Sequence, residues 1–185
     1  MDDLPRHRCL IYEGSRRKQL AALAGAILMH LKANYRCLYL NSPEMVSGLH
    51  DYLISAGVNV GDEVFKKRLI LSSDQGHLRD GMFDPDFMVG QIKAACEQAI
   101  ADGHAGLWAS GDMAWEFGPA KDFSKLVEYE RALECLFESQ PRLRGVCQYH
   151  VDMLPANVAE IGAMTHPARF VNETLSKLNP HYQAG

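Results

Sequence analysis

The sequence contains no CxxC pair, and its five cysteines (Cys9, Cys37, Cys96, Cys135 and Cys147) are odd in number and widely spread. That spacing signals neither a disulfide framework nor a zinc ribbon, and such thiols pack as small hydrophobes. No apolar run approaches the roughly 18 residues of a membrane span. The opening stretch, MDDLPRHRCLIY, is acidic and then basic and lacks the apolar core of a signal peptide, so the cytoplasm is the expected compartment. Excess positive charge is missing too: 19 Lys and Arg stand against 23 Asp and Glu, a formal charge of −4. Binding a nucleic-acid backbone needs a concentrated basic face, so neither nucleic acid nor membrane is expected as a partner. Internal repeats, low-complexity tracts and linkers are also absent.

What remains is an ordinary globular composition, 47% hydrophobic and 23% charged over 185 residues, which predicts one domain over residues 1–185. A chain of this length buries about 70% of its unfolded surface and needs no metal or disulfide to hold it together. Short apolar runs at 8–12, 36–40, 68–71, 106–109 and 143–149 read as strands. Between them lie helix-length segments at 16–32, 43–56, 86–101, 123–137 and 155–164, with a further candidate helix at 168–178. Ser42 with Pro43 marks one helix start, and Gly57 and Gly103 close two helices. This alternation requires crossover connections, hence an α/β fold with a mostly parallel sheet and helices on both faces.

In open parallel sheets ligands bind outside the carboxyl ends of the strands, here residues 12–17, 41–44, 72–77, 110–117 and 147–152. The first of these, YEGSRRKQL, stands where a phosphate-binding loop would be. Only Gly14 and Lys18 fit such a loop, and Gln19 occupies the place of the hydroxyl that reaches Mg²⁺. Ser15, Arg16 and Lys18 at a helix start would still attract an anion, or Ser15 caps the helix and the cations are solvated. In GLWASGDMAWEFG a strand end delivers Asp112, Trp115, Glu116 and Phe117, either a partly apolar pocket with polar anchors or core aromatics beneath a loop. In GVCQYHVD, alternation turns Cys147 and Tyr149 to one face and Gln148 and His150 to the other. A thiol near a histidine suggests a nucleophile with its base or a pair of soft metal ligands, but strand cysteines more often simply pack. His7 sits at the far end of the first strand, whereas His30, His50, His77, His104 and His181 have the pattern of surface residues. A shared pocket is expected to draw on Asp112, Trp115, Tyr149 and His166.

The segments HRCLIYEG, RCLYLNSPE, GLWASGDMAWEFG, KLVEYERALE, GVCQYHVDMLP, THPARFVN and NPHY, in that order, resemble the MEDS family. That sensory domain is named after methanogen and methylotroph proteins and the dichloromethane regulator DcmR. The likeness runs from about His7 to Tyr182. It implies a RecA/KaiC-like fold without an intact nucleotide-binding loop, used as a sensory module, with a hydrocarbon derivative as proposed ligand. Family members occur alone or joined to DNA-binding, histidine-kinase or anti-sigma-type kinase domains. The family's shared polar positions fall on Tyr12, Asp112, Trp115, Tyr129, Glu130, Gln148, Tyr149, His166 and Tyr182. Asp112 stands where many relatives carry Glu, and His150 where Asp is common.

The expectation is a small-molecule sensor acting through a signalling or regulatory protein partner, without catalysis, cofactor or metal, its homo-oligomeric state open. Its ligand-binding residues would be Tyr12, Asp112, Trp115, Glu116, Gln148, Tyr149, His150 and His166. Two alternatives stand beside it. A residual nucleotide binder would use Lys18, Asp112 and Glu116, and an interaction module would keep only a vestigial ligand site.

Overall fold

The computed structural model describes residues 5–172 and 175–183. In chain order the elements are β1 (His7–Tyr12), α1 (Leu20–Lys32), β2 (Arg36–Leu40), α2 (Pro43–Ser55), α3 (Val60–Phe65), β3 (Leu69–Ser72), β4 (Leu78–Arg79), β5 (Met82–Phe83) and α4 (Pro85–Ala101). They continue with β6 (Leu107–Asp112), α5 (Met113–Glu116), α6 (Leu126–Ser139), β7 (Leu143–His150), α7 (Ala156–Thr165), β8 (Ala168–Asn172) and β9 (Leu175–Leu178). Seven strands form one sheet in the order β3-β2-β6-β7-β1-β8-β9. Every neighbouring pair runs parallel except β8 with β9. β4 and β5 make a separate small hairpin. The α/β architecture follows the alternation of apolar runs and amphipathic segments.

Local chemistry explains most boundaries. The Asp84 carboxylate accepts from the Phe87 amide at 3.0 Å and Pro85 fills the first helical position, so α4 starts one residue before the expected Asp86. α1 starts four residues later than expected. Two turns, Lys18 N–H to Ser15 O and Leu20 N–H to Arg17 O, occupy residues 15–20 first. Ser42 takes the cap position of α2 without a side-chain bond to the helix. The helix expected over 168–178 is instead the β8–β9 hairpin. Ala168 and Phe170 are buried on alternate positions, and β8 extends the sheet beside β1. Residues 173 and 174 of that expected helix lie outside the described residues.

The sheet separates two apolar cores. One, beneath α1 and α2, includes Leu23, Ile27, Met45, Leu49, Trp108 and Val146. The other, beneath α4, α6 and α7, includes Met88, Ile92, Leu133, Phe137, Leu143 and Tyr149. Adjacent residues of one strand serve opposite cores, as Val146 and Cys147 do. β2 leaves outward through α2 toward β3, while β6 leaves the other way through α5 and α6 toward β7. The carboxyl ends of β2 and β6 therefore lie where the chain diverges, the place at which open sheets form crevices. Among the described residues no helix is long and apolar enough to cross a membrane.

Candidate functional site

Along the carboxyl edge, buried polar side chains stand on four neighbouring strands or just beyond them: Asn41 after β2, Ser110 and Asp112 on β6, Gln148 and His150 on β7, and Tyr12 on β1. The Gln148 amide donates to the Ser110 hydroxyl at 3.0 Å, which donates to Val146 O at 2.7 Å. Asn41 donates to the Tyr39 hydroxyl at 2.9 Å. The Tyr12 hydroxyl faces Asp112 at 3.5 Å, and the same carboxylate caps α5 by accepting from the Trp115 amide at 3.1 Å. Burial pushes the Asp112 carboxyl up against the opposing pull of Arg16. Trp115 itself is half-buried and packs on His77, ring centroids 5.1 Å apart.

The loop after β1 is tied to the end of β7. Gly14 donates its amide to Asp152 Oδ2 at 2.7 Å, and its carbonyl accepts from His150 Nε2 at 2.8 Å. In a phosphate cradle such an amide would point at the anion; here the chain's own carboxylate takes that bond. Ser15 and Lys18 are exposed, and Ser15 Oγ accepts from the Arg17 amide at 3.3 Å rather than capping α1. Arg16 reaches Ser42 Oγ at 3.3 Å.

Glu116 lies on the other face of the sheet. Its side chain folds back over β6, where a Cβ at Gly111 would coincide with its carboxylate, so any larger residue there must displace the Glu116 carboxyl. Tyr129 donates to Glu116 Oε2 at 3.1 Å. Burial pushes this carboxyl up to about 8, so it stays protonated at neutral pH. Glu116 and Tyr129 border an internal cavity of about 30 Å³, room for one or two waters. Outside it, between β2, β3 and α4, runs an open groove of about 400 Å³. Leu38, Leu40, Met88 and Ile92 line both spaces and form the partition between them. His77, expected at the surface, is buried at the groove, and its Nε2 donates to Glu116 O at 2.8 Å. His30 is likewise buried, against Trp108.

Deeper on the same face, Tyr149 donates to Glu130 Oε1. Glu130 Oε2 lies 3.3 Å from His166 Nε2 and 3.5 Å from His7 Nε2. Cys147 Sγ is 3.4 Å from His7 Nε2, so the histidine beside this thiol is His7 and not His150, which alternation sends to the opposite face. The neighbouring imidazoles and the Tyr149 hydroxyl hold the Glu130 carboxyl below its usual range despite burial, whereas burial lowers His166 to about 4. These are the described residues whose donor types and spacing suit a metal ion.

A family model described as MEDS, "MEthanogen/methylotroph, DcmR Sensory domain", matches residues 6–167. The chain belongs to this family. Among solved structures, the MEDS chain is similar to an uncharacterized protein, PH0321, from Pyrococcus horikoshii, crystallised in complex with an unknown peptide. The TM-score is 0.61 at 12% identity, over 94% of this chain and 81% of that one, a likeness of fold. No curated protein matches it in sequence.

The eight ligand-binding candidates thus fall into distinct surroundings. Tyr12, Asp112, Gln148 and His150 share the carboxyl edge. Glu116 borders the cavity, Trp115 packs on His77, and Tyr149 and His166 meet at Glu130. The four side chains expected to share one pocket therefore divide among three places. Sequence reasoning passed over His7, Glu134 and His77. For the first, the signal was there: in HRC, His7 and Cys9 share one face of a central strand, which buries a histidine that must then find a partner.

Proposed function

We propose that this MEDS domain binds a small hydrocarbon derivative in the groove between β2, β3 and α4 and transmits occupancy to a protein partner. The observation that carries this reading is the largely apolar groove backed, across the Leu38, Leu40, Met88 and Ile92 partition, by the cavity that the neutral Glu116 carboxyl borders. Leu38, Leu40, Met88 and Ile92 would embrace an apolar body, while the protonated carboxyl would donate one hydrogen bond to a polar head. Entry would shift α4 against β2, because the partition side chains come from both elements. Among the exposed apolar side chains, Tyr52, Ile54, Val64 and Phe65 on α2 and α3 are those this reading offers to a partner. The position of β1 inside the sheet, with its loop at the carboxyl edge and the Gly14 amide engaged by Asp152, supports a RecA/KaiC-like origin with a degenerate phosphate loop.

The test is thermal unfolding with a panel of one- to four-carbon alcohols, aldehydes and halomethanes, with Mg-ATP as comparison. A binder at 100 times its Kd adds about 2.7 kcal/mol, a rise of roughly 5–11 °C at this size. Ala95→Phe, placed on the groove wall, should abolish the rise while leaving the unliganded protein folded. No shift with any organic probe, or an unchanged shift in Ala95→Phe, rejects the site, and a shift with Mg-ATP alone favours the nucleotide reading.

A further inference from the structure

Four side chains carried by or next to β1, α6, β7 and α7 bring His7, Glu130, Cys147 and His166 together so that one donor atom from each lies within 4.8 Å of all the others. All four are buried. His166 bonds through Nδ1 to Gly162 O at 2.8 Å, so its Nε2 carries a lone pair, and this atom faces Glu130 Oε2 at 3.3 Å. Neither atom has a hydrogen-bond partner. His7 Nδ1 bonds to Glu134 Oε2 at 2.7 Å, which directs its Nε2 toward Cys147 Sγ and Glu130 Oε2. Two imidazole nitrogens, a carboxylate oxygen and a sulfur therefore converge on one point from which water is excluded.

We propose that this point is a binding site for one borderline divalent transition-metal ion, with Zn²⁺ as the expected occupant, held by His7 Nε2, His166 Nε2, Glu130 Oε2 and Cys147 Sγ. Ligand bonds of about 2.0–2.3 Å in a tetrahedron put the donor atoms roughly 3.3–3.6 Å apart. Three of the six edges, at 3.3, 3.4 and 3.5 Å, match that length, and the other three, none above 4.8 Å, would close on a bound ion. A set of two nitrogens, one oxygen and one sulfur suits Zn²⁺ or Co²⁺ and disfavours Mg²⁺ and Ca²⁺, which take oxygen alone. The outer contacts are those that orient metal ligands: Glu134 on His7, the Gly162 carbonyl on His166, and Tyr149 on the second oxygen of Glu130. Glu134, which contacts His7 Nδ1, is 18% exposed. This residue also lines a surface groove of about 690 Å³ with Arg6, Glu138, Pro167 and Tyr182, so a carboxylate stands between solvent and the site.

The full chain, stripped with a chelator and kept reduced, is titrated with Co²⁺ and then with Zn²⁺. One equivalent of Co²⁺ should bind, with the visible bands of tetrahedral cobalt and a near-ultraviolet thiolate-to-cobalt band. Zn²⁺ should erase both, and metal loading should release protons and raise Tm. Cys147→Ser should remove the thiolate band. Cys135→Ser, which alters the exposed cysteine, should leave it intact. Glu134→Ala, at a partly exposed position, should weaken binding about ten- to a hundred-fold without unfolding the chain. Failure of the wild-type protein to bind either ion, or a thiolate band that follows Cys135 instead of Cys147, overturns the proposal. An unchanged affinity in Glu134→Ala does so as well.

Discussion

At the scale of single residues, the side chains that stand out are those buried at a charge disadvantage. Glu116 is the clearest. Its carboxyl ionises near 4.5 in an unfolded chain and near 8 in the folded one, because burial outweighs the Tyr129 bond. Between those values the folded protein keeps a proton that the unfolded chain has released, so stability falls as pH rises across the window. At about 1.4 kcal/mol per pH unit, the loss reaches roughly 5 kcal/mol by pH 8. Glu116→Gln keeps the shape and an acceptor for Tyr129, so it should flatten the profile and raise Tm at pH 8. Thermal melts from pH 5 to 8.5 check this, and an equal slope in both proteins would assign the loss to other groups. Sequence made Glu116 visible as a carboxylate beside aromatics. Its protonation depends on Gly111 leaving room for it over β6, a contact no local pattern displays. Family likeness singled out Glu130 and His166, but their meeting with His7 and Cys147 required the crossing of four elements.

Elements were legible where a single face decides them. α1, α2, α4 and α6 carry apolar stripes, and the strands between them are short apolar runs, so the parallel core followed from periodicity. The C-terminal hairpin did not, because Val171, Leu175 and Leu178 stand at helical spacing yet are exposed, and the strand character comes from β8 pairing with β1 and β9 with β8. α3 and the β4–β5 hairpin are too short to show a period. α7 is held by close approach rather than by a strong stripe. A Cβ on Gly162 would lie 2.7 Å from the Tyr149 ring, closer than real contacts allow. Gly162→Ala must therefore lift α7 or tilt the ring, a cost of about 1–3 kcal/mol for overpacking. Denaturant midpoints measure it; the helix-propensity gain from Gly to Ala acts the other way, at about 1 kcal/mol. A net stabilisation would mean that α7 sits loosely on β7.

On the scale of the whole molecule, the two cores have one sheet in common. β7 gives Val146 to the core beneath α1 and α2, and Cys147 and Tyr149 to the core beneath α4, α6 and α7. β6 does the same with Trp108 and Leu107. Neither layer of helices can leave without exposing strand side chains that were packed against it, and those strands then lose the support that keeps the opposite core closed. This coupling argues for a single cooperative transition although the chain exceeds the size at which two-state unfolding is routine. The two tryptophans are placed to test it. Trp108 is fully buried among the α1-side residues, and Trp115 packs on His77 at the edge of the opposite face. With 5-fluorotryptophan incorporated, each gives its own ¹⁹F resonance, so no substitution in the core is needed. Both native resonances should disappear at the same urea concentration, together with the loss of far-ultraviolet circular dichroism. Separate midpoints would show that the two helical layers melt independently, with the α4 side opening first if the groove and cavity there weaken its packing.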